Sequence, residues 1–200
     1  MGGFVNAVPA TADALLVVIS GPGGVGKDTL IEMLLRRNPS LRYSVSYTTR
    51  PRRDYEVDGE HYSFVSVPEF ASLIEAGELL EHARVGGHFY GTSARRVEEI
   101  QGAGVDVILK IDVQGAEQVR QRRPDGVYIF VLPPSMEELT RRRQERGDPA
   151  RLNLERQRLA EWEMGFVDHY DHAIVNDDAE RAVAELEALL ERERVRRRSR

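Results

Sequence analysis

The stretch that decides the fold reads LLVVISGPGGVGKDTL and covers residues 15–30. Residues 15–20 form a continuous apolar run, which predicts a short strand buried on both faces. Residues 21–26 are rich in glycine, and the apolar residues after them predict a helix that ends near Asn38 and Pro39. A buried strand, a glycine turn and a helix in this order indicate an α/β unit with a phosphate-binding turn.

The turn itself matches the phosphate-loop pattern G-x-x-x-x-G-K. Glycines allow successive backbone N–H groups to point at one phosphate, and the following helix adds its positive end. Lys27 would place a mobile cation on the β- and γ-phosphates, and lysine is rare in this chain, since the only other one is Lys110. The predicted donor-phosphate site comprises Gly21, Pro22, Gly23, Gly24, Val25, Gly26, Lys27, Asp28 and Thr29.

Asp28 departs from this pattern, because the residue after the lysine is usually a serine or threonine whose hydroxyl reaches Mg²⁺. Three interpretations are open. Asp28 reaches the metal itself, since carboxylate oxygen is a good Mg²⁺ ligand. Thr29 substitutes, although it is rotated by about 100° around the helix. In the third interpretation the site is impaired. We favour Asp28 as the magnesium ligand.

The rest of the chain alternates between strand and helix patterns. Apolar runs predict strands at 105–111, 127–132 and 172–175, and helical periodicity predicts helices at 116–122, 136–146, 152–164 and 179–192. This alternation predicts an α/β fold with a mostly parallel sheet flanked by helices. A small mixed β insertion is predicted within 43–92 by extended segments at 43–49, 61–67, 79–85 and 88–92 and one helix at 68–76.

Composition excludes several classes of function. The net charge is −5, and the last ten residues hold six arginines and two glutamates, so the acidic excess lies in the rest of the chain. An acidic body argues against a nucleic-acid partner. No apolar run approaches the ~20 residues of a membrane span, so no membrane partner is expected. The absence of cysteine excludes disulfides and thiolate zinc sites and makes the reducing cytoplasm the expected location.

A second set of polar residues lies in the insertion, in the segments YSVSYTTRPRR (43–53), EVDGEHYSFV (56–65), LLEHA (79–83) and YGT (90–92). Arginines supply paired charged donors and tyrosine hydroxyls supply neutral ones, and both suit a terminal phosphate group. The alternative is an Arg-Pro turn beside an amphipathic strand, in a chain where arginine is the common cation. The insertion is therefore a candidate acceptor site.

Together with the phosphate loop, these segments resemble the guanylate kinase family. The motifs follow in the same order, through S-x-T-T-R-x-x-R, G-E-H-Y-x-F-V, Y-G-T, I-D-x-Q-G, P-P-S, R-x-x-x-R-G and I-V-N-D-D, over about residues 15–192. The resemblance implies transfer of the γ-phosphoryl group of ATP to GMP, with Mg²⁺ as cofactor. It implies a P-loop core (15–45, 93–138 and 157–192), a GMP-binding region (46–92) and a helical lid (139–156), between a flexible arm (1–14) and a basic tail (193–200).

The resemblance also implies roles for individual residues. The GMP phosphate would be held by Arg50, Arg53, Tyr62 and Tyr90, and guanine would be read by Ser46, Glu81, Thr92 and Asp112. The implied catalytic residues are Lys27 and the lid arginines Arg142, Arg146 and Arg156, with Arg158 as the alternative to Arg156, and Asn176 would lie near adenine. The Glu81 carboxylate can accept from both N1–H and the 2-amino group of guanine. Adenine lacks both donors, and such readout discriminates by roughly 10⁴-fold.

Lys110 is a second departure. At its place in the segment Leu109-Lys110-Ile111-Asp112 the resemblance implies an acidic residue near the metal side of the site. A carboxylate is thus gained at Asp28 and another is lost at position 110. We hypothesise that the two changes compensate, with Lys110 paired to Asp28 or to phosphate. The alternative is an independent lysine exposed at a strand end.

Two other functions stay open. A guanylate-kinase-like protein-interaction module would keep the fold while losing phosphate-binding residues, and Asp28 is the one residue in its favour. A P-loop kinase for another small phosphorylated acceptor would keep the loop. The intact glycine loop and Lys27 favour guanylate kinase activity, with ATP and GMP as small-molecule partners.

Overall fold

The structure is a computed structural model that describes residues 14–145 and 153–199. Its strands are β1 Leu16–Ser20, β2 Leu41–Tyr43, β3 Tyr47–Thr48, β4 Ser63–Phe64, β5 Leu79–Val85, β6 His88–Ser93, β7 Asp106–Lys110, β8 Val127–Leu132 and β9 His172–Val175. Its helices are α1 Lys27–Arg37, α2 Val67–Glu75, α3 Ala94–Gly102, α4 Val113–Arg122, α5 Met136–Glu145, α6 Asn153–Met164 and α7 Ala179–Arg198.

The central sheet contains β2, β7, β1, β8 and β9 in that order, and all neighbouring strands in it are parallel. Every residue of β1, the middle strand, is buried. Because alternate residues of a strand point to opposite faces, Val17 and Ile19 pack with α1 and α7 on one face. Leu16 and Val18 pack with α3 and α4 on the other face. The predicted parallel α/β core is confirmed.

The insertion forms a second sheet, with the strand order β4, β3, β6, β5. β3 and β4 are parallel, whereas β6 is antiparallel to both β3 and β5, so the sheet is mixed as predicted. α2 covers one side of this sheet, where Phe70 stacks on Phe89 with ring centroids 5.5 Å apart.

Two extended segments of the insertion differ from their prediction. Segment 43–49 is divided between the sheets, because β2 pairs with β7 and β3 pairs with β6. Its alternation persists across the crossing, since Ser44, Ser46 and Thr48 are all buried. Segment 61–67 contributes only β4, because Ser66 begins α2 through a capping box with Glu69.

Helix α3 is absent from the sequence-based prediction. Ser93 caps it by accepting a hydrogen bond from the backbone N–H of Arg96, and Val97 and Ile100 pack against the core at helical spacing. The signal was therefore present, but two adjacent arginines and two adjacent glutamates obscure it.

The two sheets meet at the carboxyl edge of the central sheet, where ligands bind in open α/β folds. β1 and β7 are neighbours, so the phosphate loop after Ser20 lies beside Lys110 at the end of β7. The small sheet is fixed to α4 through Gln118, which donates to the carbonyl of His82 at 2.7 Å and accepts from its N–H at 3.1 Å. This contact holds β5 against α4.

Helix α7 continues to Arg198. The basic tail predicted to begin at residue 193 is therefore helical as far as Arg198. Two of its arginines contact the body of the protein. Arg194 Nε donates to Asp106 Oδ2 at 2.7 Å, and Arg197 Nη1 donates to the carbonyl of Ala14 at 2.8 Å.

None of the helices in the described ranges combines the length and apolar character needed to cross a membrane. The predicted arm lies outside the described residues, apart from Ala14.

Candidate active site

The phosphate loop connects β1 to α1 and depends on glycine at two close approaches. Gly21 has φ 138°, and a Cβ there would lie 2.3 Å from the carbonyl oxygen of Val131. Gly26 has φ 102°, and a Cβ there would lie 2.4 Å from Asn176 Nδ2. Any side chain at these positions would clash with the neighbouring strands and strain the backbone. The loop therefore keeps the glycines that an anion-binding turn requires.

Lys27 is the first residue of α1, and its ammonium folds back over the loop. Nζ donates to the carbonyl of Gly21 and, at 3.2 Å, to that of Pro22. Burial lowers the pKa of Lys27 to about 8, while the carboxylates of Glu163 and Asp28 oppose this shift. The side chain is thus mostly an ammonium at neutral pH, placed where a phosphate would meet the loop.

Arg143 of α5 also contacts the phosphate loop, which the sequence analysis did not predict. Its Nε donates to the carbonyl of Gly23 at 2.7 Å, and its Nη1 donates to the carbonyl of Arg156 at 3.0 Å. Only 6% of the residue is exposed. A sequence signal existed, because Arg143 is four residues after the buried Leu139 and so shares its helix face.

Glu163 of α6 is a second loop residue missing from the prediction. It is 5% exposed and interacts electrostatically with Lys27 and Arg143, and the nearby backbone N–H of Gly23 helps to lower the pKa of its carboxyl. Burial raises the pKa of Glu163 to about 6, although both cations lower it. Its sequence signal is its position three residues after the buried Ala160.

The predicted lid arginines are placed differently from one another. Arg142 Nη1 donates to the carbonyl of Asn176 at 3.0 Å, and its Nε donates to Glu138 at 2.8 Å. Arg156 is half-buried beside Arg143, whereas its alternative, Arg158, is exposed. Arg146 lies outside the described residues.

A cleft of about 320 Å³ lies on the outer side of the loop. Asn176, after β9, is 5% exposed and donates from Nδ2 to the carbonyl of Val25 at 2.8 Å. The cleft is lined by Gly24, Gly26, Thr29, Arg142, Glu145, Asn176, Asp177 and Ala179. Thr29 therefore faces the Asn176 side, as its rotation around α1 predicts, and not the side of Asp28.

Asp28 and Lys110 form the predicted contact. Lys110 Nζ donates to Asp28 Oδ1 across the edge between α1 and β7. The Lys110 side chain is only 15% exposed, whereas that of Asp28 is 76% exposed. Burial alone would lower the pKa of Lys110, but Tyr43, Tyr62 and Asp28 raise it, so the side chain is an ammonium. The alternative of an independent, exposed lysine is wrong.

Three of the residues predicted for the GMP phosphate lie together, and we call Arg50, Tyr62 and Tyr90 the acceptor-phosphate cluster. The rings of Tyr62 and Tyr90 have centroids 5.9 Å apart, and the Arg50 guanidinium carbon is 5.5 Å from the centre of the Tyr62 ring. The fourth, Arg53, instead donates from Nη1 to the Tyr55 hydroxyl at 2.7 Å on the exposed side.

Glu56 holds the acceptor-phosphate cluster in place and is absent from the prediction. It binds Arg50 through both carboxylate oxygens, at 2.6 and 3.0 Å, and accepts from the backbone N–H of Arg53 at 2.8 Å. Glu56 is 4% exposed. A two-point contact of this kind fixes the plane of the guanidinium.

The residues predicted to read guanine surround Glu81, which is 2% exposed. Thr92 Oγ1 donates to Glu81 Oε1 at 2.6 Å, and Glu81 and Thr92 face each other across β5 and β6. Burial raises the pKa of Glu81 to about 7, and the nearby Asp112 carboxylate also raises it. Asp112 caps α4 through the N–H of Gly115 at 2.9 Å. The Ser46 hydroxyl is buried, with no hydrogen-bond partner among the described residues.

Known proteins that are similar in sequence and fold identify the family. The family model for guanylate kinase matches residues 13–193. The chain belongs to the guanylate kinase family. Members of it include the guanylate kinase of Symbiobacterium thermophilum, 49% identical over 94% of this chain and 90% of that protein. The guanylate kinase of Synechococcus sp. is 48% identical over 91% of this chain and 84% of that protein.

A solved guanylate kinase structure agrees with this membership. The guanylate kinase of Anaplasma phagocytophilum matches with a TM-score of 0.77 and 36% identity, over 90% of this chain and 86% of that one. The chain is therefore an ATP-dependent nucleoside monophosphate kinase of the guanylate kinase family, and the interaction module is not favoured.

Proposed function

We propose that the enzyme transfers the γ-phosphoryl group of ATP to GMP and produces ADP and GDP. The observation that carries this proposal is the arrangement of donors and acceptors on the small sheet. Tyr90 of the acceptor-phosphate cluster and Thr92, which binds Glu81, are two residues apart on β6 and so share a face. A phosphate and a guanine base joined by a ribose would satisfy both groups.

On the donor side, the loop N–H groups and Lys27 would hold the β- and γ-phosphates of ATP. Asn176 and the adjacent cleft are our candidates for the adenine side. The attacking group is a phosphate oxygen of GMP, which is already anionic, so the reaction needs no strong general base. The contribution of the protein is to align both nucleotides and to neutralise charge on the transferring group.

Magnesium is the cofactor that this chemistry needs, and Asp28 fits as its protein ligand. Mg²⁺ is commonly held by one or two carboxylates together with substrate phosphates and water. Asp28 is an exposed carboxylate beside Lys27, at the start of α1. Thr29 faces the other side of the loop. Bound Mg²⁺ would neutralise charge on the triphosphate.

The lid residues Arg142, Arg146 and Arg156 would act on the transferring phosphoryl group when the lid closes over ATP. Arginines at this point stabilise the charge that develops between donor and acceptor. Closure would also exclude water, which otherwise takes the phosphoryl group. The contact of Arg143 with Gly23 joins α5, which contains Arg142, to the loop. The cytoplasm stays the expected location, because a chain without cysteine gains nothing from an oxidising compartment.

A coupled assay of ADP release with GMP, AMP, CMP and UMP as acceptors tests the proposal. We expect turnover with GMP and at least ~10³-fold lower kcat/KM with AMP, because AMP leaves Glu81 without a donor. A Lys27→Met variant controls for contaminating kinases. No turnover with any acceptor by the folded protein would support the interaction module. Preference for a different phosphorylated acceptor would support another P-loop kinase.

A further inference from the structure

Lys110 lies between the donor-phosphate loop and the acceptor-phosphate cluster. On the donor side, its ammonium contacts Asp28, the residue after Lys27. On the acceptor side, it is 5.2 Å from the ring centre of Tyr62 and 5.6 Å from that of Tyr43. Lys110 itself is the last residue of β7 in the central sheet. One side chain of the core thus reaches both phosphate subsites.

Two ammonium groups lie near each other at this place. Those of Lys27 and Lys110 repel each other, although the carboxylates of Glu163 and Asp28 act more strongly on Lys27 than Lys110 does. The Lys110 side chain is mostly buried, whereas Asp28 is largely exposed to water. A phosphate bound between the two lysines would therefore meet two cations.

The hydrogen-bonding capacity of Lys110 also favours a phosphate at this place. An ammonium carries three N–H donors. Within residues 14–145 and 153–199, Asp28 is its one hydrogen-bond acceptor, and its other close neighbours are the faces of two tyrosine rings. Ring faces attract a cation without accepting a strong hydrogen bond. Phosphate oxygens would take up the remaining donors.

We propose that Lys110 binds the phosphate oxygens that lie between the donor and acceptor nucleotides, and that Asp28 is a positioning residue that holds it there. The proposal rests on the proposed function, because it needs an acceptor phosphate at Tyr62. It adds to the site a cation from the central sheet that acts on the transferring phosphoryl group.

The test compares Lys110→Met with the wild-type enzyme by two measurements. The first is steady-state kinetics. The second is calorimetric binding of P1-(5′-adenosyl)-P5-(5′-guanosyl) pentaphosphate, which joins both nucleosides through five phosphates. We expect kcat to fall by about 10²-fold and pentaphosphate affinity by about 30-fold, because one preorganised charged donor contributes this much to a developing phosphoryl charge. Affinity for GMP alone should change by less than about threefold, since the acceptor-phosphate cluster stays intact.

Two further variants separate binding from structure. Lys110→Arg keeps the charge and should retain kcat within about tenfold of the wild type. Arg96→Met is the matched control, because Arg96 is also a half-buried cation over a tyrosine, 4.6 Å from the ring centre of Tyr47, but contacts Val45 and Ser63. It should lower the unfolding temperature without changing pentaphosphate affinity by more than about twofold.

A double-mutant cycle with Asp28→Asn tests the positioning role. Affinity is measured without Mg²⁺, so that the proposed role of Asp28 as a metal ligand does not contribute. If Asp28 acts through Lys110, the effects on pentaphosphate affinity should then be non-additive, with the double variant close to Lys110→Met alone. Pentaphosphate affinity unchanged in Lys110→Met, or lost equally in Arg96→Met, would overturn the proposal. A wild-type enzyme inactive with GMP would overturn the proposed function separately, because pentaphosphate binding still reports on Lys110.

Discussion

Arg143 Nε donates a hydrogen bond of 2.7 Å to the carbonyl oxygen of Gly23, and this contact joins helix α5 to the phosphate loop. Arg143 also supports the loop by packing, since a Cβ at Gly24 would lie 2.9 Å from Arg143 Cγ. Arg141, two residues earlier, instead pairs with Glu138 and Glu145 on the surface. Neighbouring arginines on one helix thus differ in what they contact.

Arg143→Met should weaken binding of Mg·ADP by about tenfold and lower the unfolding temperature, because a buried charged donor to the loop is removed. Calorimetry and thermal denaturation measure the two effects. Arg141→Met is the control. It should change Mg·ADP affinity by less than about twofold and the unfolding temperature by less than about one degree, as expected for an exposed ion pair. Equal effects of the two substitutions would show that Arg143 does not support the loop.

GMP binding should depend on pH through Glu81. The pKa of its carboxyl in the empty site is about 7, raised mainly by burial, so Glu81 is largely protonated below pH 7 and ionised above it. Guanine donates two N–H groups and favours the ionised form, so binding lowers this pKa and releases a proton. Affinity should therefore fall as the pH drops below 7.

Calorimetry at pH 6.5, in buffers of different ionisation enthalpy, measures this proton. At this pH about three quarters of the Glu81 carboxyl groups in the empty site are protonated. The wild-type enzyme should therefore release about three quarters of a proton more on binding GMP than Glu81→Gln does. Protons released by the GMP phosphate are common to both proteins and cancel in the comparison. The same release from Glu81→Gln would show that Glu81 is not the group that titrates.

Gly115→Ala should disturb guanine recognition without touching the phosphate sites. A Cβ at this position would lie 2.4 Å from Glu81 Oε2, so the carboxylate would have to move. We expect KM for GMP to rise by at least about tenfold and the preference for GMP over AMP to shrink. Gly102→Ala is a matched helical control, since a Cβ there meets nothing within 4 Å. If Gly115→Ala keeps the wild-type preference for GMP over AMP, Glu81 is not the residue that recognises guanine.

Glu56→Gln should weaken GMP binding through Arg50. The substitution replaces a two-point ion pair by a single weaker contact and frees the guanidinium to turn. KM for GMP should rise by about tenfold, with kcat within about threefold, because Lys27 and the lid are unaffected. Glu60→Gln, an exposed glutamate on the same loop, is the control. A fall in kcat with KM unchanged would contradict this positioning role.

Much of the fold could be predicted because it is encoded in short patterns. The buried run at β1 and the alternation of strands and helices determine the parallel sheet. The sequence-based prediction failed at short elements. β2 has three residues and was joined to β3, and α3 was obscured by its adjacent charges. For β2, pairing with β7 decides the structure, and for α3, packing of Val97 and Ile100 against the core outweighs the adjacent charges.

The phosphate loop could be predicted from the sequence alone, because its glycines and Lys27 are contiguous and their geometry depends on local backbone conformation. The sequence also predicted the small mixed sheet whose strand β6 contains Tyr90 and Thr92. Which side chains contact the loop depends instead on contacts between residues that are distant in the sequence. Arg143 is 120 residues from Gly23, and Lys110 is 82 residues from Asp28. Such contacts follow from the way helices and strands pack. The local signal for Arg143, its position four residues after Leu139, indicates a shared helix face but not the group that Arg143 contacts.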